Sequence, residues 1–343
     1  MRQAARRDLA SSWEGVAADV AEVLARWPAA PPGARFSPIA RFSSAGAGGG
    51  LVQVSGRAPG RSRLGAAGGP VEGRRVYAIG DVHGCYDLLI ALLQRLGDDA
   101  AAAGPRATTL ILLGDYVDRG PDSARVVEAL CLLKSQAPFE VCLLKGNHED
   151  ALLRFLDAPS DGGPWLAFGG AATLALYGVD PPDPEDGLAA YATARDELLR
   201  RMPAAHLRLL QTLDLMAVVG DFAFVHAGVA PGEPLRGQSE RDLLWIRREF
   251  LEARGPFEKV IVHGHTWDGD RPAVTPARIG LDTGAYETGV LSAMRFEDEE
   301  RVWLAVRDGR GGRPPLDEVR SWVPAKPLDF TAAGAGFRVL SLA

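Results

Sequence analysis

Residues 75–84 read R-V-Y-A-I-G-D-V-H-G, and two stretches of the same kind follow at residues 107–115 (A-T-T-L-I-L-L-G-D) and 139–149 (F-E-V-C-L-L-K-G-N-H-E). Each begins with a short apolar run, as expected of a buried strand, and then reaches a glycine followed by aspartate or asparagine. Leucines at helical spacing fill the segment between the first two runs, and Pro121 opens a second helical pattern before the third. This alternation predicts βαβ units and a parallel sheet.

The rest of the body continues with helices and then ends in strands. Residues 149–213 are predicted to be helical, with breaks at Gly- and Pro-rich turns. Residues 215–226 predict a hairpin, and a helix is expected over residues 239–253. Apolar runs then predict four strands, at residues 259–263, 277–282, 290–296 and 301–307.

The N-terminal part differs from this body in composition. Residues 11–27 predict one amphipathic helix whose apolar stripe consists of Val16, Val20, Val23 and Leu24. Residues 28–73 are rich in Gly, Ala, Pro, Ser and Arg, and they offer little apolar side-chain area to offset the entropy of ordering. We therefore expect three parts: a disordered, low-complexity extension over residues 1–73, a folded domain over 74–308 and a polar tail over 309–343.

Charge and cysteine usage exclude several classes of protein. The 343-residue chain has a net charge of -6, although residues 1–75 carry 11 arginines against 5 acidic residues. The body is therefore acidic, which argues against nucleic acid as a partner. No apolar run is long enough to predict a membrane span. The three cysteines include no C-x-x-C pair, which favours a cytoplasmic protein without a structural zinc site.

Polar residues that could bind a metal or take part in catalysis lie where the predicted strands end. Asp81 and His83 stand two residues apart, so both side chains project to the same side of an extended chain. Residues 114–120 read G-D-Y-V-D-R-G, and residues 146–149 read G-N-H-E. An aspartate or asparagine after a strand is also a common helix N-cap. Three such motifs in register with the βαβ spacing nevertheless favour one shared site at the carboxyl ends of the strands.

The distribution of histidines indicates a metal site. Five of the six histidines lie in motifs at strand ends: His83, His148, His226, His263 and His265. A single histidine is more often a structural residue, but five at strand ends are better explained by metal ligation. His206, within the sequence A-A-H-L-R-L-L, is the exception and is expected on a helix surface or in the core.

The motifs G-D-x-H-G, G-D-x-x-D-R-G, G-N-H-E, H-A-G and G-H, in this order over residues 75–308, resemble the phosphoprotein phosphatase family of calcineurin-like metallophosphoesterases. The segments Leu244–Arg247 (L-W-I-R) and Asp282–Gly284 (D-T-G) are similar to the compact bacterial and phage members. The resemblance implies an α/β fold in which two β-sheets form a sandwich flanked by helices, in the layer order α/β/β/α. It also makes residues 74–308 a metallophosphoesterase catalytic domain.

The resemblance further implies the site residues and their roles. One divalent metal ion would be held by Asp81 and His83, both metals by the bridging Asp115, and the second by Asn147, His226 and His265. His148 would be the general acid, oriented by Asp118, and the phosphate would be bound by Arg119 and by Arg247, with Arg248 as its neighbouring alternative. Mixed nitrogen and oxygen ligands favour manganese, with iron or zinc also suitable, over calcium. Two such ions would activate a water molecule for phosphomonoester hydrolysis.

Departures from related patterns favour a serine/threonine protein phosphatase with phosphorylated proteins or peptides as substrates. Trp267 follows His265 where many calcineurin-like enzymes have a second histidine, as expected in the protein-phosphatase branch. The bacterial diadenosine tetraphosphatases share G-D-V-H-G-C-Y-D, but Asp118 and Glu149 differ from what is typical of them. A nucleotide hydrolase of that type remains the alternative. A binding protein without catalysis would require a broken ligand set, and the set is complete. The oligomeric state stays open.

Two features keep alternative interpretations. His263 precedes the G-H motif and is interpreted as a structural residue or as a neighbour of the metal ligands. The apolar, glycine-punctuated run over residues 165–177 is interpreted as a helix that packs over the sheet, with a lid or substrate groove as the alternative.

Overall fold

The computed structural model describes residues 9–29, 31, 38–44, 51–55, 70–309, 316–324 and 337–341. Its strands are β1 (Ala40–Ser44), β2 (Leu51–Ser55), β3 (Arg75–Ile79), β4 (Thr108–Leu112), β5 (Glu140–Leu143), β6 (Met216–Val219), β7 (Phe222–Val225), β8 (Val260–His263), β9 (Ala273–Val274), β10 (Arg278–Gly280), β11 (Val290–Glu297), β12 (Glu300–Arg307), β13 (Leu316–Pro324) and β14 (Phe337–Ser341).

The α-helices among the described residues are α1 (Leu9–Arg26), α2 (Tyr86–Ala102), α3 (Ser123–Gln136), α4 (Asn147–Asp157), α5 (Gly162–Trp165), α6 (Ala171–Leu176), α7 (Leu188–Arg201), α8 (Ala204–Gln211), α9 (Glu240–Trp245), α10 (Arg248–Glu252) and α11 (Ala285–Thr288). A π-helical turn, Leu166–Gly170, joins α5 to α6. None of the described helices combines the length and the apolar character needed to cross a membrane.

The strands form two seven-stranded sheets. The first has the order β2-β1-β6-β7-β8-β10-β9, and the second has the order β14-β13-β12-β11-β3-β4-β5. The predicted parallel sheet is confirmed for β3, β4 and β5, in which Ile79 lies opposite Leu112 and Leu112 opposite Leu143. Because these strands end in register, the loops that follow them emerge at the same edge. The parallel prediction does not extend to β11, which pairs with β3 in the antiparallel direction.

The two sheets pack face to face and are covered on their outer sides by helices. Val76 and Ala78 of β3 belong to the core between the sheets, whereas the alternate residues Tyr77 and Ile79 pack with helices α1 to α3. On the other side, residues of β7 and β8 pack against α9 and Phe250 of α10. The layers are thus helix, sheet, sheet and helix, and the fold expected of a calcineurin-like metallophosphoesterase is confirmed.

The N-terminal segment, residues 1–73, was expected to be disordered, but its described residues contribute α1, β1 and β2 to this fold. The amphipathic helix is confirmed as α1, and Val16, Val20 and Val23 are buried in the core with α2 and α3. β1 pairs antiparallel with β6 and β2 pairs with β1, so that Phe42 is buried. The local composition could not reveal these strands, because their stability comes from pairing with the free edge of β6. Residues 45–50 and 56–69 lie outside the described residues, and the domain boundary at residue 73 stays a prediction.

Two further expectations need correction. The tail after residue 308 supplies β13 and β14, because β12 offers an edge whose backbone groups pair with β13. The helix predicted over residues 239–253 is two short helices, α9 and α10, separated at Ile246 and Arg247. Both residues leave the helical conformation there, and this break directs Arg247 to the site described below.

Candidate metal centre

Loops from both sheets converge at one edge of the sandwich and bring the predicted ligands together. In chain order these residues are Asp81 and His83 after β3, Asp115 after β4, Asn147 after β5, His226 after β7 and His265 after β8. All six side chains belong to buried residues. The convergence follows from strand direction, because β3, β4 and β5 are parallel and so are β7 and β8.

The loops position these side chains by bending the backbone into the left-handed region. Positive φ angles occur at His83 (43°), Asp115 (53°), Asp118 (72°), Arg119 (66°) and His265 (64°). This conformation is uncommon for residues with a Cβ atom and costs on the order of 1–3 kcal/mol each. Close approach also requires a glycine, since a Cβ atom at Gly264 would collide with the carboxylate of Asp81. Backbone strain is therefore concentrated at this edge.

Asp115 lies at the centre of the cluster. Its carboxylate oxygens are 3.4 Å from Nε2 of His83, 3.9 Å from Nε2 of His148 and 3.5 Å from Nε2 of His226. Two groups of side chains have potential ligand atoms that all lie within 4.8 Å of one another: His83, Asp115 and His148, and Asp115, His226 and His265. Asp115 is shared by both groups, which is the geometry that a bridging carboxylate requires.

The hydrogen bonds of two histidines fix which nitrogen faces the centre. Nδ1 of His83 lies 3.0 Å from the carbonyl oxygen of Val117, and Nδ1 of His226 lies 2.9 Å from that of Leu113. A carbonyl oxygen only accepts, so each Nδ1 carries a proton and each Nε2 of the neutral ring carries a lone pair. Burial lowers the pKa of both rings, that of His83 to about 3, which keeps both rings neutral.

These lone pairs face other electron-rich atoms. Nε2 of His226 lies 2.8 Å from Oδ1 of Asn147. Nδ1 of His265 lies 2.8 Å from the same oxygen but donates to it, because Nε2 of that ring accepts from Arg247. Nε2 of His83 lies 3.4 Å from a carboxylate oxygen of Asp115. Two acceptors without a proton between them repel each other, whereas a divalent cation between them attracts both. Neutral imidazoles with carboxylate and amide oxygens therefore fit manganese, iron or zinc.

The burial of several carboxylates together also favours a bound cation. The oxygens of Asp81 accept the backbone N–H of His265 at 2.9 and 3.2 Å, and its carboxyl is hydrogen-bonded to that of Asp282. Burial and the charges of Asp282 and Asp115 raise the pKa of Asp81 well above its ordinary range. A bound cation would offset this repulsion. Asp81 belongs to neither group of three, and its role as a ligand stays a prediction.

His148 and Asp118 form a buried pair beside Asp115. Nδ1 of His148 lies 2.7 Å from Oδ2 of Asp118, and the two rings of His83 and His148 meet edge to face with their centroids 4.6 Å apart. Burial acts to lower the pKa of His148, but the charges of Asp115 and Asp118 outweigh it, so this pKa is raised. The arrangement can hold a protonated imidazole next to the predicted metal ligands.

Arg119 lies on the other side of His83. Its Nη1 is 3.2 Å from Nε2 of His83, and its guanidinium carbon lies 4.8 Å from the ring centroid of Tyr286. The backbone N–H of Arg119 also donates to the carbonyl oxygen of Gly169 at 3.4 Å. Contacts with His83 and Tyr286 thus hold the guanidinium beside the ligand cluster, where it can bind an anion.

Arg247, and not its neighbour, reaches the cluster. Nε of Arg247 donates to Nε2 of His265 at 2.9 Å. Arg248 instead pairs with Glu252 one turn further along α10, with Nε and Oε1 separated by 2.9 Å. Of the two adjacent arginines, only Arg247 therefore contacts a predicted metal-ligating residue, His265.

The structure adds residues that the sequence reasoning did not assign to the site. Glu149 accepts backbone N–H groups of Asp115, Tyr116, Val117 and Gly146, and so ties the second motif to the third. Glutamate three residues after Gly146 at a helix start was a detectable signal for such a cap.

Asp282 follows β10, so the rule that functional residues lie at strand ends could also have found it. Trp165 and Thr173, which contact Asp118, had no comparable signal in the sequence.

The remaining histidines lie away from the ligand groups. His206 is buried between Tyr177, whose hydroxyl lies 2.8 Å from Nδ1, and Glu128, whose carboxylate lies 2.8 Å from Nε2. His206 is therefore a core residue, which was one of the two locations predicted for it. His263 packs its ring 5.0 Å from that of Phe250, which agrees with a structural role.

Comparisons with known proteins agree with this geometry. Residues 74–277 match the family described as calcineurin-like phosphoesterases. A bis(5′-nucleosyl)-tetraphosphatase (asymmetrical) from Bacillus velezensis is 29% identical over 246 residues, which cover 65% of this chain and 90% of that protein. Serine/threonine-protein phosphatase 2 from Escherichia coli is 30% identical over 232 residues, which cover 65% of this chain and 94% of that protein. Serine/threonine-protein phosphatase 1 from Salmonella typhimurium is 28% identical over 231 residues, which cover 65% of this chain and 93% of that protein.

Proposed function

The chain belongs to the calcineurin-like phosphoesterase family and is a hydrolase, and we propose that it removes the phosphoryl group from phosphoserine and phosphothreonine in proteins. The observation that carries this proposal is the position of Asp115, whose carboxylate is shared by two potential metal-ligand groups. The His148–Asp118 pair lies directly beside this carboxylate. Together they supply what the hydrolysis of a phosphate ester requires: sites for two cations, a proton donor and cationic side chains for the phosphate.

We assign the ligands from the family motifs together with the shared position of Asp115. The first divalent cation would be held by Asp81, His83 and Asp115, and the second by Asp115, Asn147, His226 and His265. Two cations bound there would neutralise charge on the phosphoryl oxygens and lower the pKa of a water molecule. The donor atoms favour manganese, with iron or zinc as alternatives.

His148 would give a proton to the leaving oxygen. Asp118 accepts the N–H of Nδ1 at 2.7 Å, so the imidazole directs Nε2 toward Asp115, 3.9 Å away. The negative charge of Asp118 stabilises the protonated ring. A serine or threonine side chain is a poor leaving group without a proton, so this donor matters most for phosphoprotein substrates.

Arg119 and Arg247 would bind the phosphate from opposite ends of the ligand cluster. Arg119 contacts His83 of the first set of ligands, and Arg247 contacts His265 of the second set. A planar guanidinium can donate two parallel hydrogen bonds to phosphate oxygens. With one arginine at each end, a phosphoryl group over Asp115 would be held at both sides.

Hydrolysis of dinucleoside polyphosphates is the second candidate function. Relatives named as bis(5′-nucleosyl)-tetraphosphatases favour it. One further observation supports it: Phe168 is 65% exposed, and its carbonyl oxygen lies 3.5 Å from Nε of Arg119. An exposed aromatic ring beside a phosphate-binding arginine could stack on a nucleotide base. Asp118 and Glu149, in contrast, match the protein-phosphatase pattern.

The test compares both substrates on the same protein. Purified manganese-loaded enzyme is incubated with a phosphoserine/phosphothreonine peptide and, separately, with diadenosine tetraphosphate, each with and without chelator. We expect chelator-sensitive release of phosphate from the peptide, at a higher kcat/KM than cleavage of the dinucleotide. A preference for the dinucleotide would assign the second function. Folded, metal-loaded protein that acts on neither substrate would contradict both and favour a binding protein.

A further inference from the structure

The carboxylate of Asp118 is fully buried. It accepts hydrogen bonds from other side chains in addition to the one from His148. Trp165 donates its indole N–H to Oδ2 at 2.8 Å, the same oxygen that faces Nδ1 of His148 at 2.7 Å. The hydroxyl of Thr173 donates to Oδ1 at 2.6 Å. The backbone N–H of Asp118 in turn donates to that hydroxyl and to the hydroxyl of Ser123, both at 3.0 Å. Both carboxylate oxygens are therefore fixed by side-chain donors.

Trp165 cannot easily leave this position. Its side chain is 2% exposed, and its ring stacks on that of Phe155 at a centroid distance of 4.9 Å. A Cβ atom at Gly170 would collide with the same ring, so the backbone closes over the indole. A buried indole N–H needs an acceptor, and a carboxylate is the strongest one available. Trp165 is thus a rigid donor aimed at Asp118.

The two donors come from opposite ends of one irregular helical segment. Trp165 ends α5 and Thr173 lies in α6, with the π-helical turn Leu166–Gly170 between them. Within this turn Gly169 has a φ of 118° and accepts the backbone N–H of Arg119. Single π-helical turns occur frequently at functional sites, because they redirect side chains within a helix. This turn brings two donors that are eight positions apart in the sequence, Trp165 and Thr173, onto one carboxylate.

We propose that Trp165 and Thr173 are positioning residues for proton transfer, which rests on the proposed role of His148 as the proton donor. They prevent the Asp118 carboxylate from rotating, so that Oδ2 stays aligned with Nδ1 of His148. The imidazole then keeps Nδ1 protonated and directs Nε2 to the leaving oxygen. The segment over residues 165–177 packs on the core through Trp165, Leu174 and Tyr177, as its packing interpretation predicted, and in addition supports the general acid.

The test measures how kcat depends on the leaving group in four variants. Trp165→Phe keeps the ring and removes the N–H, Thr173→Val removes the hydroxyl at nearly constant volume, and Thr173→Ser retains it. His148→Asn is the reference without the acid. Each is assayed on aryl phosphates of increasing leaving-group pKa and on a phosphoserine peptide, after metal content has been measured.

Substrates with poor leaving groups need the proton, whereas dinitrophenyl phosphate does not. For Trp165→Phe and Thr173→Val we expect kcat to fall about tenfold or more on the peptide and less than about twofold on dinitrophenyl phosphate, with KM little changed. Thr173→Ser should retain the dependence of the unaltered enzyme. Trp303→Phe is the matched control, because it also removes a buried indole hydrogen bond, that to Ser292 at 3.0 Å, at a residue outside the site. It should leave the leaving-group dependence unchanged.

The outcomes separate this inference from the function on which it rests. If His148→Asn selectively loses poor leaving groups but Trp165→Phe and Thr173→Val lose activity equally on all substrates, the two residues are merely structural and the inference is overturned. If His148→Asn itself shows no selectivity, the proton-donor role is wrong and the inference falls with it. Selective loss in all three variants, with Thr173→Ser unaffected, is the result that we expect.

Discussion

Replacement of Asp118 by asparagine removes one charge while the structure can keep the side chain in place. The amide oxygen can take the position of Oδ2, where it accepts from Trp165 at 2.8 Å and from His148 at 2.7 Å. The amide nitrogen then faces Thr173, whose hydroxyl oxygen can accept a hydrogen bond. Asp118→Asn should therefore fold and bind metal, and differ chiefly in the charge next to His148.

The size of the effect follows from the loss of charge in one hydrogen bond. A hydrogen bond to a charged group contributes about 1.5–3 kcal/mol, against about 1 kcal/mol for a neutral pair. The protonated form of His148 is thus destabilised by about 1–2 kcal/mol, and kcat on a phosphoserine peptide should fall about 5- to 30-fold. Dinitrophenyl phosphate, whose leaving group needs no proton, should be hydrolysed at nearly the original rate.

The assay is steady-state hydrolysis of both substrates by manganese-loaded Asp118→Asn, with the metal content per chain measured first. Asp196→Asn is the matched control, since Asp196 is an exposed residue of α7 that pairs with Arg195. The control should match the unaltered enzyme on both substrates. An unchanged kcat on the peptide, or an equal loss on both substrates in a folded and fully metal-loaded Asp118→Asn protein, would show that the charge of Asp118 does not stabilise a proton-donating His148.

Three further kinds of substitution test the site, and one tests the packing of α1. His226→Ala removes a ligand atom, so metal analysis should show loss of bound metal together with activity; a fully loaded but inactive protein would contradict the assignment. His148→Asn should retain its metal by the same analysis and lose turnover about 100-fold or more on a phosphopeptide. Arg247→Ala should raise KM about tenfold while Arg248→Ala leaves it unchanged, as measured by steady-state kinetics; equal effects would place the phosphate elsewhere. Val20→Ala should lower the free energy of unfolding by about 2 kcal/mol in chemical denaturation, and no change would mean that α1 adds nothing to the core.

The sequence predicts those parts of the fold and site in which local pattern and strand direction suffice. The motifs at Asp81, Asp115 and Asn147 each follow a short apolar run, and parallel strands of similar length necessarily bring such motifs to one edge. The alternation of buried residues along β3 places one face on the other sheet and one on the helices. Local sequence was enough in both cases.

Features that depend on distant partners could not be predicted. Phe42 is buried only because β1 pairs with β6, which lies far along the chain. Trp165 and Thr173 reach Asp118 across 47 and 55 residues of sequence, so no spacing rule indicates the contact. The break at Ile246 and Arg247 interrupts a sequence pattern that predicts one helix. Arg247 contacts His265 from this break, and that distant partner is not visible in the local pattern.

We propose that this edge of the sandwich is a two-metal hydrolytic centre, and a metal titration is the decisive measurement. Metal-free protein is titrated with manganese while bound metal and phosphate release from a phosphopeptide are measured in the same samples. We expect two ions to bind per chain and activity to rise as the second site fills. Full activity in exhaustively chelated protein, or binding of two ions with no hydrolysis of any phosphate ester, would contradict it.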